Sequence, residues 1–165
     1  MLELKGMYEM QRVLDNRIKE RVGKGYNFGS YYAIEDKVYA FHTEMHELAN
    51  EIGFFKVWKQ NHKMDRGNVL EELVDVIHFL LSVGITKGYD NVVKRVDAFS
   101  LWEDYPMIDL FNEVRRNDLE SIGKYTLAFG LVLGIAKKLD FSIMEVEYAY
   151  ELKNEKNTER QLNGY

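Results

Sequence analysis

The scarcity of proline is the sequence feature that most constrains the fold. Pro106 is the only proline in 165 residues, so few positions interrupt a helix. Apolar residues recur along the chain at the three- and four-residue spacing that places them on one helical face. We therefore expect an all-α fold in a single domain, residues 1–165. The predicted helices lie near 2–20, 31–52, 67–84, 90–98, 106–117, 120–138 and 142–159.

The composition is that of an ordinary globular protein and argues against several classes of function. Apolar residues make up 46% of the chain and charged residues 30%. The formal net charge is −5, which argues against a broad nucleic-acid surface. Cysteine is absent, which excludes disulfides, thiolate metal sites and a cysteine nucleophile. The longest apolar run, 127–136, is too short to span a bilayer, and the first residues lack the apolar region of a signal peptide. We expect a cytoplasmic protein without a membrane partner.

Two pairs of acidic residues carry the chemistry that the sequence indicates. Glu44 and Glu47 lie in one predicted helix, and Glu72 and Asp75 lie in the next. Residues three apart share a helical face, so each helix can direct two carboxylates toward one point. The connection between the two helices is long enough for them to run antiparallel, as neighbours in a bundle do. Four such oxygen ligands would bind Mg²⁺ and, through it, a polyphosphate.

The surroundings of the second pair favour this interpretation. Glu72 lies between the directions of Phe79 and Val83 around the helix, and Asp75 lies at the edge of the same apolar arc. An unpaired carboxylate in a core-facing stripe is costly, and a bound cation would remove that cost. The alternative is that both pairs are ordinary acidic residues on solvated helix faces.

An aromatic residue and a histidine near the acidic pairs are further candidates. His78 shares the helical face of Asp75 and could donate to a ligand or orient a carboxylate. Otherwise it is a polar residue at the border of the buried face. Trp58, in the connection after the first pair, could stack on a planar base. Its alternative role is packing in the core.

The last predicted helix carries a polar stripe. Lys153, Asn157 and Arg160 follow i, i+4, i+7 spacing and therefore share one face. Two cations on either side of an amide suit phosphate oxygens, because lysine supplies a point charge and arginine a planar fork. The same stripe would also arise in a charged terminal helix that forms only ion pairs with itself.

Together these segments resemble the dimeric, all-α dUTP diphosphatases, within the wider class of MazG-like nucleotide pyrophosphohydrolases. The wider class is marked by Glu-x-x-Glu followed by Glu-x-x-Asp, here at 44–47 and 72–75. The narrower resemblance rests on ELANEIGFFKVWK, EELVDVIHFLLSVG, the opening EMQRVLD and the closing KNEKNTERQLNGY. It implies a MazG-like helical bundle with a four-helix core, in which the extra helices form a mobile lid.

The resemblance also implies a function and a set of site residues. The enzyme would hydrolyse dUTP, and also dUDP, with Mg²⁺ as cofactor, and would form a homodimer. The metal ligands would be Glu44, Glu47, Glu72 and Asp75. Glu44 or Glu47 would also accept the proton of the attacking water, and we favour Glu44. The substrate contacts would be Gln11 and His78 at the uracil, Trp58 at the nucleoside, and Lys153, Asn157 and Arg160 at the phosphates. Asp15 stands where some relatives carry an amide near the base.

Three other functions stay open on the sequence alone. A related pyrophosphohydrolase for another nucleotide, such as dCTP, would share the metal site and differ in the residues that read the base. A carboxylate-bridged di-iron bundle would need two Glu-x-x-His motifs, whereas the chain offers only Asp75-x-x-His78. A non-catalytic helical module would use the acidic faces to bind a basic partner.

Overall fold

The fold is all-α, as the sequence predicts. The computed structural model describes residues 1–22, 33–61 and 63–164. Two short strands, β1 and β2, pair antiparallel, with Leu2 opposite Val96. The elements of the described residues are β1 Leu2–Glu3, α1 Lys5–Val22, α2 Ile34–Ile52, α3 Arg66–Thr86, a 3₁₀ turn Tyr89–Asn91, β2 Arg95–Val96, α4 Met107–Arg115, α5 Ile122–Lys138 and α6 Ile143–Leu162.

The helices that carry the acidic pairs begin and end at signals written in the sequence. The Asp36 carboxylate accepts a hydrogen bond from the backbone N–H of Ala33 at the start of α2. Gly53 ends α2 in the left-handed conformation, with φ of 66°. Asp65 begins α3 by accepting a hydrogen bond from the backbone N–H of Asn68 at 2.9 Å. These caps set both ends of α2 and the start of α3.

The helix predicted near 90–98 is wrong. This segment forms the 3₁₀ turn and then β2, which pairs with the residues at the chain's start. The buried residues of the segment are Asp90, Val93 and Val96, and their spacing of three imitates a helical stripe. β-Branched valines favour an extended backbone, and the pairing with β1 decides the outcome. For the same reason α1 begins at Lys5 rather than near residue 2.

Helix α3 is the centre of the molecule. It packs against α1, α2, α5 and α6, and apolar side chains on most of its circumference are fully buried. Glu72 and Asp75 therefore project from the best-anchored helix of the fold. The four-helix core, the mobile lid and the single domain over 1–165 stay predictions. Among the described residues, every helix is too short or too polar to cross a membrane.

Candidate metal centre and substrate cavity

Three of the four predicted metal ligands lie together between α2 and α3. Glu44, Glu72 and Asp75 each offer a carboxylate oxygen, and these oxygens lie within 4.8 Å of one another. All three side chains are half-buried. The fourth predicted ligand, Glu47, is exposed and lies outside this group, although its charge acts on the pKa of Glu44 and of Glu72. Three of the four side chains in the two i, i+3 pairs thus come together, and the fourth does not.

Burial and mutual repulsion disfavour the ionised form of the clustered carboxylates. Burial, followed by repulsion from Asp75, Glu47 and Glu72, raises the pKa of Glu44 to about 7. Burial also raises the pKa of Glu72 and that of Asp75. A divalent cation would favour the ionised form of all three groups. Oxygen ligands of this kind fit a hard cation such as Mg²⁺ rather than a metal that prefers sulfur or nitrogen.

Lys153 of α6 lies at the edge of the carboxylate cluster. Its Nζ donates to Asp75 Oδ2 at 2.6 Å and to Glu71 Oε1 at 2.7 Å. Lys156 donates to the same Glu71 oxygen at 3.1 Å. These two hydrogen bonds lower the pKa of Glu71 to about 2. Sequence reasoning missed Glu71 because it considered only the i, i+3 pairs, although Glu71 lies one helical turn before Asp75 on the same side of α3.

The other two members of the α6 stripe lie on the same side of the molecule. Arg160 is half-buried and donates to Asn157 Oδ1 at 3.4 Å. Burial raises the pKa of Asp75, and the charges of Lys153 and Arg160 oppose that rise. The predicted phosphate stripe therefore faces the predicted metal ligands.

A cavity of about 160 Å³ opens beside Asp75. It brings together four predicted site residues from three helices: Gln11 of α1, Asp75 and His78 of α3, and Asn157 of α6. Its remaining lining residues are Leu14, Ile18, Phe79 and Gln161. Gln161, which accepts a hydrogen bond from Arg21, was not predicted. Five of its eight lining residues are polar and three are apolar, a mixture that suits a ligand with a polar base and an apolar ring face.

Trp58 lies apart from this cavity. Its side chain is 68% exposed in the turns after α2, where its ring meets that of Phe55 edge to face with centroids 6.0 Å apart. Phe55 and Phe54 line a different, more apolar cavity of about 200 Å³ against Phe111 of α4. The role of Trp58 at the nucleoside stays a prediction.

Gln11 and His78 belong to a buried polar network. Gln11 Oε1 lies 2.7 Å from His78 Nδ1, and Gln11 Nε2 donates to Asp15 Oδ1 at 2.8 Å. Asp15 Oδ2 accepts from Lys37 Nζ at 3.0 Å and from Ser82 Oγ at 2.5 Å. All five side chains are at least nine-tenths buried. Sequence reasoning did not find Lys37 or Ser82, because their link to Asp15 joins three separate helices.

Tyr150 of α6 covers the histidine ring. The two ring centroids are 4.4 Å apart, and the Tyr150 hydroxyl lies 3.1 Å from both Gln11 Oε1 and the Met7 carbonyl oxygen. Burial lowers the pKa of His78 to about 3, so the imidazole is neutral at physiological pH. Its Nε2 is buried and has no hydrogen-bond partner among the residues that the structure describes. Because His78 lines the cavity, this unpaired nitrogen is a candidate to accept a hydrogen bond from a ligand.

A family model described as dUTPase matches residues 3–165. The chain belongs to the dUTPase family. The match includes every residue that lines the cavity and every member of the carboxylate cluster. The chain is therefore a dUTP diphosphatase, which confirms the predicted enzyme class. dUTPases use a divalent metal ion, for which the Glu44, Glu72 and Asp75 cluster is the candidate site. A search of curated proteins found no match to the chain.

Proposed function

We propose that this dUTPase depends on Mg²⁺ and converts dUTP to dUMP and pyrophosphate, and dUDP to dUMP and phosphate. The observation that carries the proposal is the meeting of Glu44, Glu72 and Asp75 within 4.8 Å, together with the cavity that Asp75 and His78 line. A cluster of carboxylates that shares Asp75 with the cavity suits the polyphosphate. The enclosed polar wall suits the base.

The carboxylates would hold the cation and move a proton. Glu44, Glu72 and Asp75 would be its ligands, with Glu47 joining them from the exposed side of α2. The bound cation would neutralise polyphosphate charge and make a water molecule more acidic. Glu44 is the preferred proton acceptor, because it is half-buried beside the other ligands whereas Glu47 is exposed. Water would then attack phosphorus directly, without a covalent intermediate on the chain.

His78 and Gln11 would read the uracil. Gln11 donates to the Asp15 carboxylate, so its carbonyl oxygen faces His78, and His78 Nδ1 must carry the proton. Nε2 is then a buried acceptor without a partner among the described residues, in a side chain that lines the cavity. It would accept the N3–H of uracil, whereas N3 of cytosine is itself an acceptor and would be rejected. The second N–H of the Gln11 amide remains for a uracil carbonyl oxygen.

The α6 stripe would hold the phosphates. Lys153, Asn157 and Arg160 face the carboxylate cluster from α6, the helix that also covers the base-reading residues. Arginine and lysine bind phosphate oxygens through charge-assisted hydrogen bonds. Trp58, exposed after α2, would contact the nucleoside only if the connection that carries it folds over the cavity.

We also propose that the enzyme acts as a homodimer in the cytoplasm, with no nucleic-acid partner. The dimer and the location follow from the resemblance to the dimeric all-α enzymes. The net charge of −5 supports the absence of a nucleic-acid surface. Multi-angle light scattering at micromolar concentration tests the dimer, and a purely monomeric active enzyme would contradict it.

A nucleotide panel tests the proposed reaction. Purified enzyme is stripped of metal with a chelator and assayed with dUTP, dUDP, dCTP and dTTP, with and without added Mg²⁺. We expect turnover of dUTP and dUDP only with Mg²⁺, with pyrophosphate released from the first and phosphate from the second. Equal turnover of dCTP and dUTP would favour the related pyrophosphohydrolase for another nucleotide. Bound iron after purification would favour the di-iron alternative.

A further inference from the structure

We propose that Asp15, held by Lys37 and Ser82, fixes which nitrogen of His78 carries the proton and so sets the preference for a base that presents an N–H group. This inference rests on the proposed role of His78 at the base. Asp15 would touch neither substrate nor metal, and it would act as a positioning residue through Gln11.

A chain of hydrogen bonds leads from Lys37 on α2 to His78, and the donor in each bond determines the donor in the next. The ammonium group of Lys37 can only donate hydrogen bonds, so Asp15 Oδ2 accepts from Lys37 Nζ at 3.0 Å. Asp15 Oδ1 then accepts from the Gln11 amide nitrogen at 2.8 Å. With its nitrogen on that side, Gln11 presents its oxygen to His78 Nδ1 at 2.7 Å. The proton is therefore on Nδ1. Nε2, which is buried without a partner among the described residues, keeps its lone pair for a ligand in the cavity that His78 lines.

A carboxylate at position 15 matters because it only accepts hydrogen bonds. An asparagine there could present its amide nitrogen to Gln11, and Gln11 could then turn its own amide by half a rotation. His78 Nδ1 would become the acceptor, and Nε2 would carry the proton into the cavity. That tautomer donates to a ring nitrogen such as N3 of cytosine. The buried charge of Asp15 would be costly alone, and Lys37, 5% exposed, compensates it.

The test is the charge-neutral double variant Asp15→Asn/Lys37→Met. It removes the carboxylate without leaving a buried unpaired lysine, so it avoids the main reason that Asp15→Asn alone could fail to fold. The ratio of kcat/KM for dUTP to that for dCTP should fall at least about tenfold. The kcat for dUTP should change little, because the carboxylate cluster is untouched. Ser82→Ala is the matched control: it removes one hydrogen bond to Asp15, keeps the carboxylate, and should keep the ratio.

Nitrogen-15 spectra of histidine-labelled enzyme report the tautomer directly. The His78 signals are identified by their loss in His78→Gln. In the wild type, Nδ1 should show the shift of a protonated ring nitrogen and Nε2 that of an unprotonated one. In the double variant the two should exchange character. This measurement separates a change of tautomer from a general structural disturbance, because a variant that only weakens binding would leave the His78 tautomer unchanged.

Several outcomes would overturn the inference. A protonated Nε2 in the wild-type enzyme would do so without any variant. A folded double variant that keeps the wild-type tautomer, or exchanges it and keeps the dUTP preference, would do so as well. Failure of the underlying function looks different, since the wild type itself would then hydrolyse dUTP and dCTP equally.

Discussion

Lys153 Nζ lies 2.6 Å from Asp75 Oδ2, so an ammonium group of the chain itself stands at the edge of the carboxylate cluster. The positive charge of Lys153, on α6, thus partly neutralises the negative charge of the cluster. A metal ion bound by Asp75 would compete with Lys153 for that carboxylate, and the released lysine would then be available to a phosphate oxygen. Helix α6 therefore links the candidate metal ligands to the proposed phosphate stripe.

Replacing Lys153 by methionine should separate these two roles. Mg²⁺ should bind the free enzyme more tightly, because no cation competes for Asp75. The KM for dUTP should rise about tenfold or more, because a charge-assisted hydrogen bond to phosphate is lost. Titration calorimetry with Mg²⁺ and steady-state kinetics measure the two effects. Lys156→Met is the control, since Lys156 contacts Glu71 and not Asp75. An unchanged KM in Lys153→Met would remove this residue from the phosphate site.

Asp75→Asn and Glu72→Gln should each lower kcat at least about a hundredfold, because loss of a metal ligand removes several kcal/mol of transition-state stabilisation. Metal-free Glu72→Gln should be at least as stable as the wild type, because the change removes repulsion within the cluster. Metal-free Asp75→Asn also loses the ion pair with Lys153, so its stability should change little. Thermal unfolding followed by circular dichroism checks this. Glu155→Gln, an exposed change on α6, is the control. Collapse of helical signal in either variant would indicate a structural role instead.

Glu47→Gln is a separate prediction, because the structure leaves Glu47 outside the three-carboxylate group. If the Glu47 side chain rotates toward the cluster and becomes the fourth metal ligand, the variant should lose turnover as severely as Asp75→Asn does. Its Mg²⁺ affinity, measured by calorimetry, should fall in parallel. Wild-type kcat with wild-type metal affinity would exclude Glu47 from the site.

The acidic pairs show what the sequence can predict of this site. The i, i+3 spacing in Glu44 and Glu47, and in Glu72 and Asp75, defines helical faces before any fold is known. The cap residues Gly53 and Asp65 then define where α2 ends and α3 begins, and so how long the connection between the two helices is. The convergence of Glu44, Glu72 and Asp75 follows from these local rules, whereas the position of Glu47 outside the group does not.

The polar network shows what the sequence cannot predict. Lys37 lies in the buried stripe of α2, one turn before Phe41, where an apolar residue is the ordinary expectation. Its compensation comes from Asp15, on another helix, and nothing in the local pattern of either residue names the other. The tautomer of His78 depends on this tertiary pairing. The strand at 95–96 escaped prediction for a similar reason, because its partner lies at the start of the chain.

Acid should destabilise the protein through His78. Burial lowers the folded-state pKa to about 3, below the ordinary value of 6.5, so the folded state excludes a proton that the unfolded chain accepts. Stability is therefore full above about pH 6.5 and falls as the pH decreases toward 3, by at most about 1.4 kcal/mol per pH unit. The difference in unfolding free energy between wild type and His78→Gln, from urea titrations at several pH values, isolates this effect. A difference that does not vary with pH would contradict it.

Gly84→Ala should destabilise the core, because α3 and α5 approach closely at this position. A Cβ on Gly84 would lie 2.4 Å from the hydroxyl oxygen of Tyr125 and 2.8 Å from Cζ of the same ring. Tyr125 is fully buried, and its hydroxyl shares a 2.9 Å hydrogen bond with that of Tyr8, so the ring cannot move aside without breaking that bond. Overpacking of this kind costs about 1–3 kcal/mol, and the lost hydrogen bond adds about 1 kcal/mol. Gly123→Ala in α5 is the matched control, since a Cβ there meets nothing within 4 Å and alanine favours the helix. Urea unfolding of both variants should therefore give changes of opposite sign, and equal stabilities would show that the tyrosine pair adjusts freely.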